Sequence, residues 1–245
     1  MNSGDYNAKV PGHIGIIIFD ATALTMGVYA VQIDIKAVQI LNSRLFHDLV
    51  GATSAINTGL EFLQADAADR AALDLLGQSA DRVSRRLDFF RAAFGAGGGR
   101  EGRLRFEDVQ ALSEGWYADS KSKIVWPTVL PPLPDDQFSP PVAKVVMMTL
   151  MLADECLPRG GTVSVHLEPL AEGLGVVINA AGTGASAPEG LAAALADGCT
   201  PADLTVRNVA AFFAHSLAKT LNTRLETATA ADSVQFASLF SRAGG

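Results

Sequence analysis

The first long segment of the chain carries an apolar stripe with the period of a helix. From near residue 33 to near residue 64, apolar residues recur three or four positions apart: Leu41, Leu45, Leu49, Ala52, Ile56, Leu60 and Leu63. At about 100° per residue, these positions stay within an arc of roughly 100°. The pattern therefore predicts one long amphipathic helix.

A second apolar stripe follows after the short turn QADAAD and ends at Gly95. Its members are Leu73, Leu76, Ala80, Val83, Leu87, Phe90 and Phe94. Two amphipathic helices joined by a short turn predict an antiparallel hairpin over residues 33–95, which cannot bury both stripes by itself. The glycine-rich segment 96–103 reads as a linker to a further domain over residues 104–245.

The pattern after the linker mixes helical and strand periods. EDVQALSEGWYADS predicts a helix, KIVWPTVL a strand, and SPPVAKVVMMTLMLADECLP a buried helix that begins at two prolines. TVSVHLEP and LGVVINAAG predict paired strands, residues 202–223 a helix, and LETATA with DSVQFASLF a closing hairpin. We therefore expect an α/β domain with a mostly antiparallel sheet.

Residues 1–32 form an N-terminal extension of uncertain structure. Its apolar run, residues 12–33, is interrupted by Asp20, and a carboxylate within a membrane span costs about 2.5 to 3.5 kcal/mol. A strand-like, helical or poorly ordered leader is favoured over a membrane anchor.

Composition narrows the class of partner. The formal net charge of −7 argues against a nucleic-acid binder, which needs a basic patch. Seven arginines nevertheless lie between residues 82 and 105, which suits an acidic protein partner or a solvated helix face. The two cysteines, Cys156 and Cys199, lack metal-ligand spacing and indicate structural thiols in a reducing, cytoplasmic setting.

His47 lies about 190° from the centre of the first stripe and therefore points away from the core. An exposed imidazole on a rigid helix offers a nucleophilic nitrogen near neutral pH. The adjacent Asp48 could orient the ring or accept its proton. A lone exposed histidine is more often only a polar surface residue, so helix geometry alone leaves both interpretations open.

The run SRLFHDLVGATSAINTGLEFLQ resembles the H-box of histidine phosphotransferases of the ChpT type. The matching residues are Ser43, Arg44, His47, Asp48, Ala55, Ile56, Gly59 and Leu60. LDFFRAAFGAGG and the order of elements up to residue 240 are also similar to that family, whereas Ala52 stands where many related H-boxes have proline. The resemblance implies a helical hairpin forming a dimeric four-helix bundle, followed by an α/β sandwich similar to a histidine-kinase ATP-binding domain.

The resemblance also allows a test of the nucleotide motifs of such kinases. PRGGTVSV resembles the stretch after the kinase N-box, and in that register the two magnesium-binding asparagines fall on Met148 and Leu152. Asn179 or Ala180 replaces the adenine-reading aspartate, and Gly182 and Gly184 remain as a Gly-x-Gly pair. Because Met148 and Leu152 offer no oxygen ligand, we expect no ATP, metal or other cofactor on this chain.

The resemblance thus implies a bacterial phosphorelay rather than an ATP-dependent kinase. In this hypothesis His47 takes a phosphoryl group from one response-regulator receiver domain and passes it to another, with magnesium held by the receiver. Asp48 orients the ring. The protein is expected to be a homodimer, and its expected contacts to the receiver are Arg44, Arg82, Arg85 and Arg86. The alternative is a non-catalytic dimeric scaffold or decoy that docks receivers; the presence of His47 and Asp48 favours transfer.

Overall fold

The computed structural model describes residues 33–65, 69–96, 104–129 and 138–241. The N-terminal extension 1–32 and, apart from Ala96, the glycine-rich linker lie outside the described residues. Where the structure describes the chain, no helix is both long enough and apolar enough to span a membrane.

The two predicted helices of the hairpin are confirmed as α1 (Ile35–Ala65) and α2 (Arg70–Phe94). The Asp69 carboxylate caps the start of α2, where it accepts hydrogen bonds from the backbone N–H groups of Ala71 and Ala72. The helices approach closely at Gly59, where a Cβ would lie 2.8 Å from Leu76 Cγ. The absence of a side chain at this position permits the contact.

The second part of the chain contains five strands and four helices in the described ranges. In chain order they are α3 (Phe106–Tyr117), β1 (Ser122–Val125), α4 (Pro140–Glu155), β2 (Gly161–Pro169), β3 (Gly173–Ala181), α5 (Leu191–Ala194), α6 (Val209–Thr220), β4 (Glu226–Ala230) and β5 (Ser233–Ser241). The sheet order is β1-β2-β3-β5-β4, with β1 parallel to β2 and the other pairs antiparallel. The predicted α/β fold is confirmed.

The core of this α/β part lies between α4 and the sheet. Helix α4 packs against β2, β3, β5 and α6, and it begins at Pro140, whose missing N–H would have no intrahelical partner at that position. Met147, Leu150 and Leu152 are fully buried. Burial all round explains why the sequence of α4 is nearly continuously apolar rather than amphipathic.

The same core includes the end of the hairpin. Phe89 and Phe90 of α2 pack their rings against Trp116 of α3, with centroid separations of 4.7 and 5.6 Å. Phe89 is fully buried. The C-terminal turns of α2 are therefore joined to the α/β domain by side-chain packing.

One predicted helix is shorter than expected. The sequence indicated helix from residue 202, but α6 begins at Val209, and the short α5 was not predicted. The buried Asn208 explains the late start: its Oδ1 accepts from the Thr205 N–H at 2.7 Å, and its Nδ2 donates to the Asp203 carbonyl at 3.0 Å. These bonds stabilise a turn in place of the first helical residues.

Candidate functional site

His47 lies on α1 with 86% of its side chain exposed, which confirms the orientation predicted from the helical period. Its Nδ1 atom is 3.6 Å from Oδ1 of Asp48. That separation is too long for a direct hydrogen bond, but it places a carboxylate oxygen beside Nδ1. The side of the ring that carries Nδ1 thus faces Asp48.

Asp48 is less exposed than its neighbour and is held in place by Arg44. Only 15% of its side chain is exposed, and its second oxygen, Oδ2, accepts a hydrogen bond of 3.2 Å from Arg44 Nε. Residues four apart on a helix lie on the same side, so this pair is local to α1. Arg44 and Asp48 therefore lie beside the exposed histidine on the inward side of the helix.

Arg44 also contacts the α/β domain. Its terminal NH2 group donates a hydrogen bond of 2.7 Å to Oε1 of Glu155, the last residue of α4. Burial raises the pKa of Glu155 from 4.5 to about 7, helped by the Asp48 and Asp154 charges and opposed by Arg44. Sequence analysis did not find Glu155, because 111 residues separate it from Arg44 and no motif marks it.

Three arginines of α2, namely Arg82, Arg85 and Arg86, lie around Trp116 and Asp119. Arg85 donates from NH2 to both carboxylate oxygens of Asp119 at 3.0 and 2.8 Å, and Arg82 Nε lies 3.6 Å from the same group. The Arg86 guanidinium stacks 3.6 Å above the Trp116 ring, and its burial lowers its pKa. Half of the Arg82 side chain and a third of the Arg85 side chain are exposed.

The positions that correspond to kinase magnesium ligands lie inside the core. Met148 and Leu152 of α4 are 4% and 0% exposed, and neither carries an oxygen on its side chain. Ala180 is buried on β3, and the Gly184 N–H donates to the Asp232 carboxylate. Over the described ranges, no group of three or more histidine, cysteine, aspartate and glutamate side chains is arranged to hold a metal ion.

The cysteines were expected to be structural, and the histidines other than His47 belong to other parts of the chain. His166 is exposed on β2, and His215 is buried on α6, where burial lowers its pKa. His13 lies outside the described residues. Cys156 is a buried free thiol whose pKa is raised to about 12 by burial, so the thiolate that would react is suppressed.

The fold of a helical hairpin followed by an α/β domain is similar to that of a solved bacterial phosphotransferase. That structure aligns over 86% of this chain and all of its own, with a TM-score of 0.69 and 24% identity, which shows a shared fold. A curated relative, the protein phosphotransferase ChpT of Brucella abortus (strain 2308), is 33% identical over 129 residues. The alignment covers 53% of this chain and 59% of the Brucella protein.

The model of the histidine phosphotransferase C-terminal domain matches residues 106–233, just over half of the chain. The chain therefore belongs to the histidine phosphotransferase family, and the resemblance to ChpT-type proteins is confirmed. The matched region contains α4 with Glu155 but not the α1–α2 hairpin. His47 therefore lies outside the region that the family model matches.

Proposed function

We propose that this protein is a histidine phosphotransferase that relays a phosphoryl group between the receiver aspartates of response regulators through His47. The observation that carries the proposal is the 86% exposure of the His47 side chain on a rigid helix, with a carboxylate next to Nδ1. Family membership and the similarity to the Brucella protein support the same reaction class.

The surroundings of His47 leave room for a receiver domain. Ser43, Gly51 and Ser54 lie on the same side of α1, within about 40° of His47 at 100° per residue. All three are small and exposed. Apart from the neighbouring residues and backbone of α1 itself, no atom of the described residues lies within 4 Å of the position that a Cβ of Gly51 would occupy. A bulky acceptor site can thus approach the ring along the direction of attack.

Transfer requires that one ring nitrogen attack in line. Since Nδ1 faces Asp48, the attacking atom is Nε2 of the neutral ring. The new bond forms between Nε2 and phosphorus, while the bond between phosphorus and the receiver aspartate oxygen breaks and its electron pair stays on that carboxylate. Nδ1 keeps its proton, so the positive charge of the phosphorylated ring faces Asp48. The second transfer reverses these steps on another receiver.

We further propose that this chain needs no nucleotide of its own. The buried Met148 and Leu152 side chains provide no oxygen for magnesium. The phosphoryl group then comes already activated as an aspartyl phosphate, and the magnesium that neutralises its charge belongs to the receiver.

A second copy of this chain is proposed as the partner of the hairpin. Large apolar side chains on both helices remain exposed: Leu60 by 47%, Leu73 by 52% and Leu87 by 49%. Leu73 and Leu87 are two heptads apart and so share one side of α2. Packing two hairpins into a four-helix bundle would remove these side chains from water.

Electrostatic attraction would assist the encounter with an acidic receiver surface. Of the four arginines expected to contact the receiver, Arg82 has the most exposed side chain and is the one that we propose to make direct contact. Arg44, Arg85 and Arg86 are held by contacts within the chain and would act through their charge. Such steering mainly raises the association rate.

The test is transfer from a phosphorylated receiver domain to the purified full chain. We expect label that is lost in acid and retained in alkali, and none on His47→Ala. His166→Ala, which removes an exposed histidine on β2, serves as the matched control and should accept label normally. Label on His47→Ala would overturn the assignment. Receivers that bind without transferring phosphate to the wild type would favour the docking scaffold instead.

A further inference from the structure

A continuous series of polar contacts leads from His47 into the α/β domain. His47 Nδ1 lies 3.6 Å from one Asp48 oxygen, Arg44 Nε bonds the other at 3.2 Å, and Arg44 NH2 bonds Glu155 at 2.7 Å. Two carboxylates share one guanidinium at this point. Three of the four residues belong to α1, and only Glu155 comes from the α/β domain.

The histidine is much more exposed than the three residues that lead from it to the α/β domain. His47 is 86% exposed, whereas Asp48, Arg44 and Glu155 are 15%, 18% and 17% exposed. An exposed ring makes few packing contacts and can rotate unless a neighbour holds it. Asp48 is half-buried and lies next to Nδ1. The position of the Asp48 carboxylate therefore sets the orientation of the His47 ring.

The Arg44 fork explains why a second carboxylate matters for Asp48. A guanidinium prefers to bind one carboxylate through two parallel N–H groups, and such a bidentate pair would draw both Asp48 oxygens toward Arg44. Here Glu155 takes the NH2 group and leaves only Nε for Asp48. Oδ1 of Asp48 thereby remains directed at the imidazole.

Glu155 itself is firmly placed. It ends α4, whose preceding turns are buried in the core, and its neighbour Asp154 accepts hydrogen bonds from Trp116 Nε1 and Ser120 Oγ. A residue fixed to the core can fix a flexible arginine. The pKa of Glu155 is raised because holding a carboxylate at a largely buried site costs energy that Arg44 only partly offsets.

We infer that Glu155 is a positioning residue for His47, which acts through Arg44 and Asp48 to keep Nδ1 protonated and Nε2 directed outward. This inference rests on the proposed role of His47 as the group that accepts phosphate. It also assigns Arg44 a role inside the chain in addition to its charge. The α/β domain then contributes to the chemistry of a histidine that lies on the hairpin.

The first experiment observes the His47 ring directly and does not depend on transfer. Full-length protein labelled with 15N at its four histidines is examined by long-range proton–nitrogen correlation at about pH 8. The His47 signals are assigned by their loss in His47→Ala. We expect mainly the Nδ1–H tautomer in the wild type and a shift of about threefold or more toward Nε2–H in Glu155→Leu.

Conservative and remote variants provide the controls. Glu155→Gln keeps an oxygen that accepts from Arg44 and should restore the wild-type tautomer ratio. Glu172→Leu, in the exposed turn between β2 and β3, should leave it unchanged. If Glu155→Leu does not fold, Arg44→Lys replaces it, because an ammonium group cannot bridge both carboxylates in a planar fork. An unchanged ratio in the folded variant would overturn the inference.

Transfer kinetics provide the second readout. In Glu155→Leu we expect the rate at saturating phosphorylated receiver to fall about tenfold, while the receiver concentration for half-maximal rate stays within about twofold. A change in that concentration alone would show that Glu155 acts on docking and would contradict the inference. Failure of the wild type to accept phosphate would refute the proposed function, whereas the tautomer ratio would still decide the role of Glu155.

Discussion

Helix α4 buries eleven of its sixteen residues, whereas α1 buries four of its thirty-one. The two helices also differ in the size of their buried residues. The buried residues of α4 include methionine and leucine, whereas those of α1 are mainly small. The large side chains of Phe46 and Phe62 on α1 are 64% and 52% exposed. The α/β domain thus completes its own core within one chain. The hairpin leaves large apolar side chains in water, as expected of a surface that other proteins cover.

The physical reason for the difference is the number of layers. A sheet covered by α4, with α6 packed against that helix, buries apolar residues from several elements at once, but two helices bury only the facing stripe of each. At the C-terminal end of α2 the two regions meet, because Phe89 belongs to the α/β core. The hairpin is therefore secured at one end and open along its sides.

Removal of that junction should produce the largest loss of stability. Phe89→Ala takes away a fully buried ring that stacks on Trp116, so we expect the free energy of unfolding to fall by about 3 to 5 kcal/mol. Chemical denaturation measures the change. Phe62→Ala, which truncates a ring that is 52% exposed on α1, is the matched control and should cost less than about 1 kcal/mol. Equal losses would contradict the contrast between the two regions.

Titration of Glu155, at the contact between α1 and α4, should have the next largest effect on the free energy of unfolding. The pKa of Glu155 is about 7 in the folded chain, whereas its ordinary value, taken for the unfolded chain, is 4.5. Between those pH values the folded chain therefore holds a proton that the unfolded chain has lost. The free energy of unfolding therefore falls as pH rises through this window, by about 3 kcal/mol from this group.

The measurement compares wild type with Glu155→Gln by denaturation between about pH 4 and pH 8. The difference between the two profiles isolates Glu155 from His215, whose lowered pKa acts in the opposite direction. Burial is the main cause of the raised Glu155 pKa, and the charges that modify it are Arg44 and Asp48 from α1 and Asp154 from α4. Parallel profiles would show that Glu155 titrates normally.

Charges on the open side of the hairpin should have the smallest effect on stability and a clear effect on assembly. Leu73→Glu combined with Leu87→Glu should change the unfolding free energy of the monomer by less than about 1 kcal/mol, because both side chains are half-exposed. Sedimentation should show a shift from dimer to monomer. Val206→Glu, 48% exposed in the α/β domain, is the control. A dimer that persists in the double variant would place the interface elsewhere.

Local periodicity was sufficient for much of the fold. The three- and four-residue spacing predicted α1 and α2, and alternation predicted β2 and β3 close to their observed bounds. It failed where side chains compete with the backbone: Asn208 holds a turn through its amide, and this delays α6 by several residues. That competition depends on which carbonyl groups lie nearby in space.

The site divides in the same way between local and distant information. Helical geometry alone predicted that His47 is exposed and that Asp48 is its neighbour, and both are seen. It could not predict that Arg44 is engaged with Glu155, nor that Arg86 stacks on Trp116. Those contacts form only when α1, α2, α3 and α4 pack together.

The sequence by itself determined most of the elements, the exposed histidine on α1 and the family to which the chain belongs, since these depend on local period and residue identity. Only the tertiary structure decided which arginines are held within the chain and which carboxylate reaches the His47 site. The reason is that the energy of a charged contact depends on distance and burial, and folding alone brings Glu155 to 2.7 Å from Arg44.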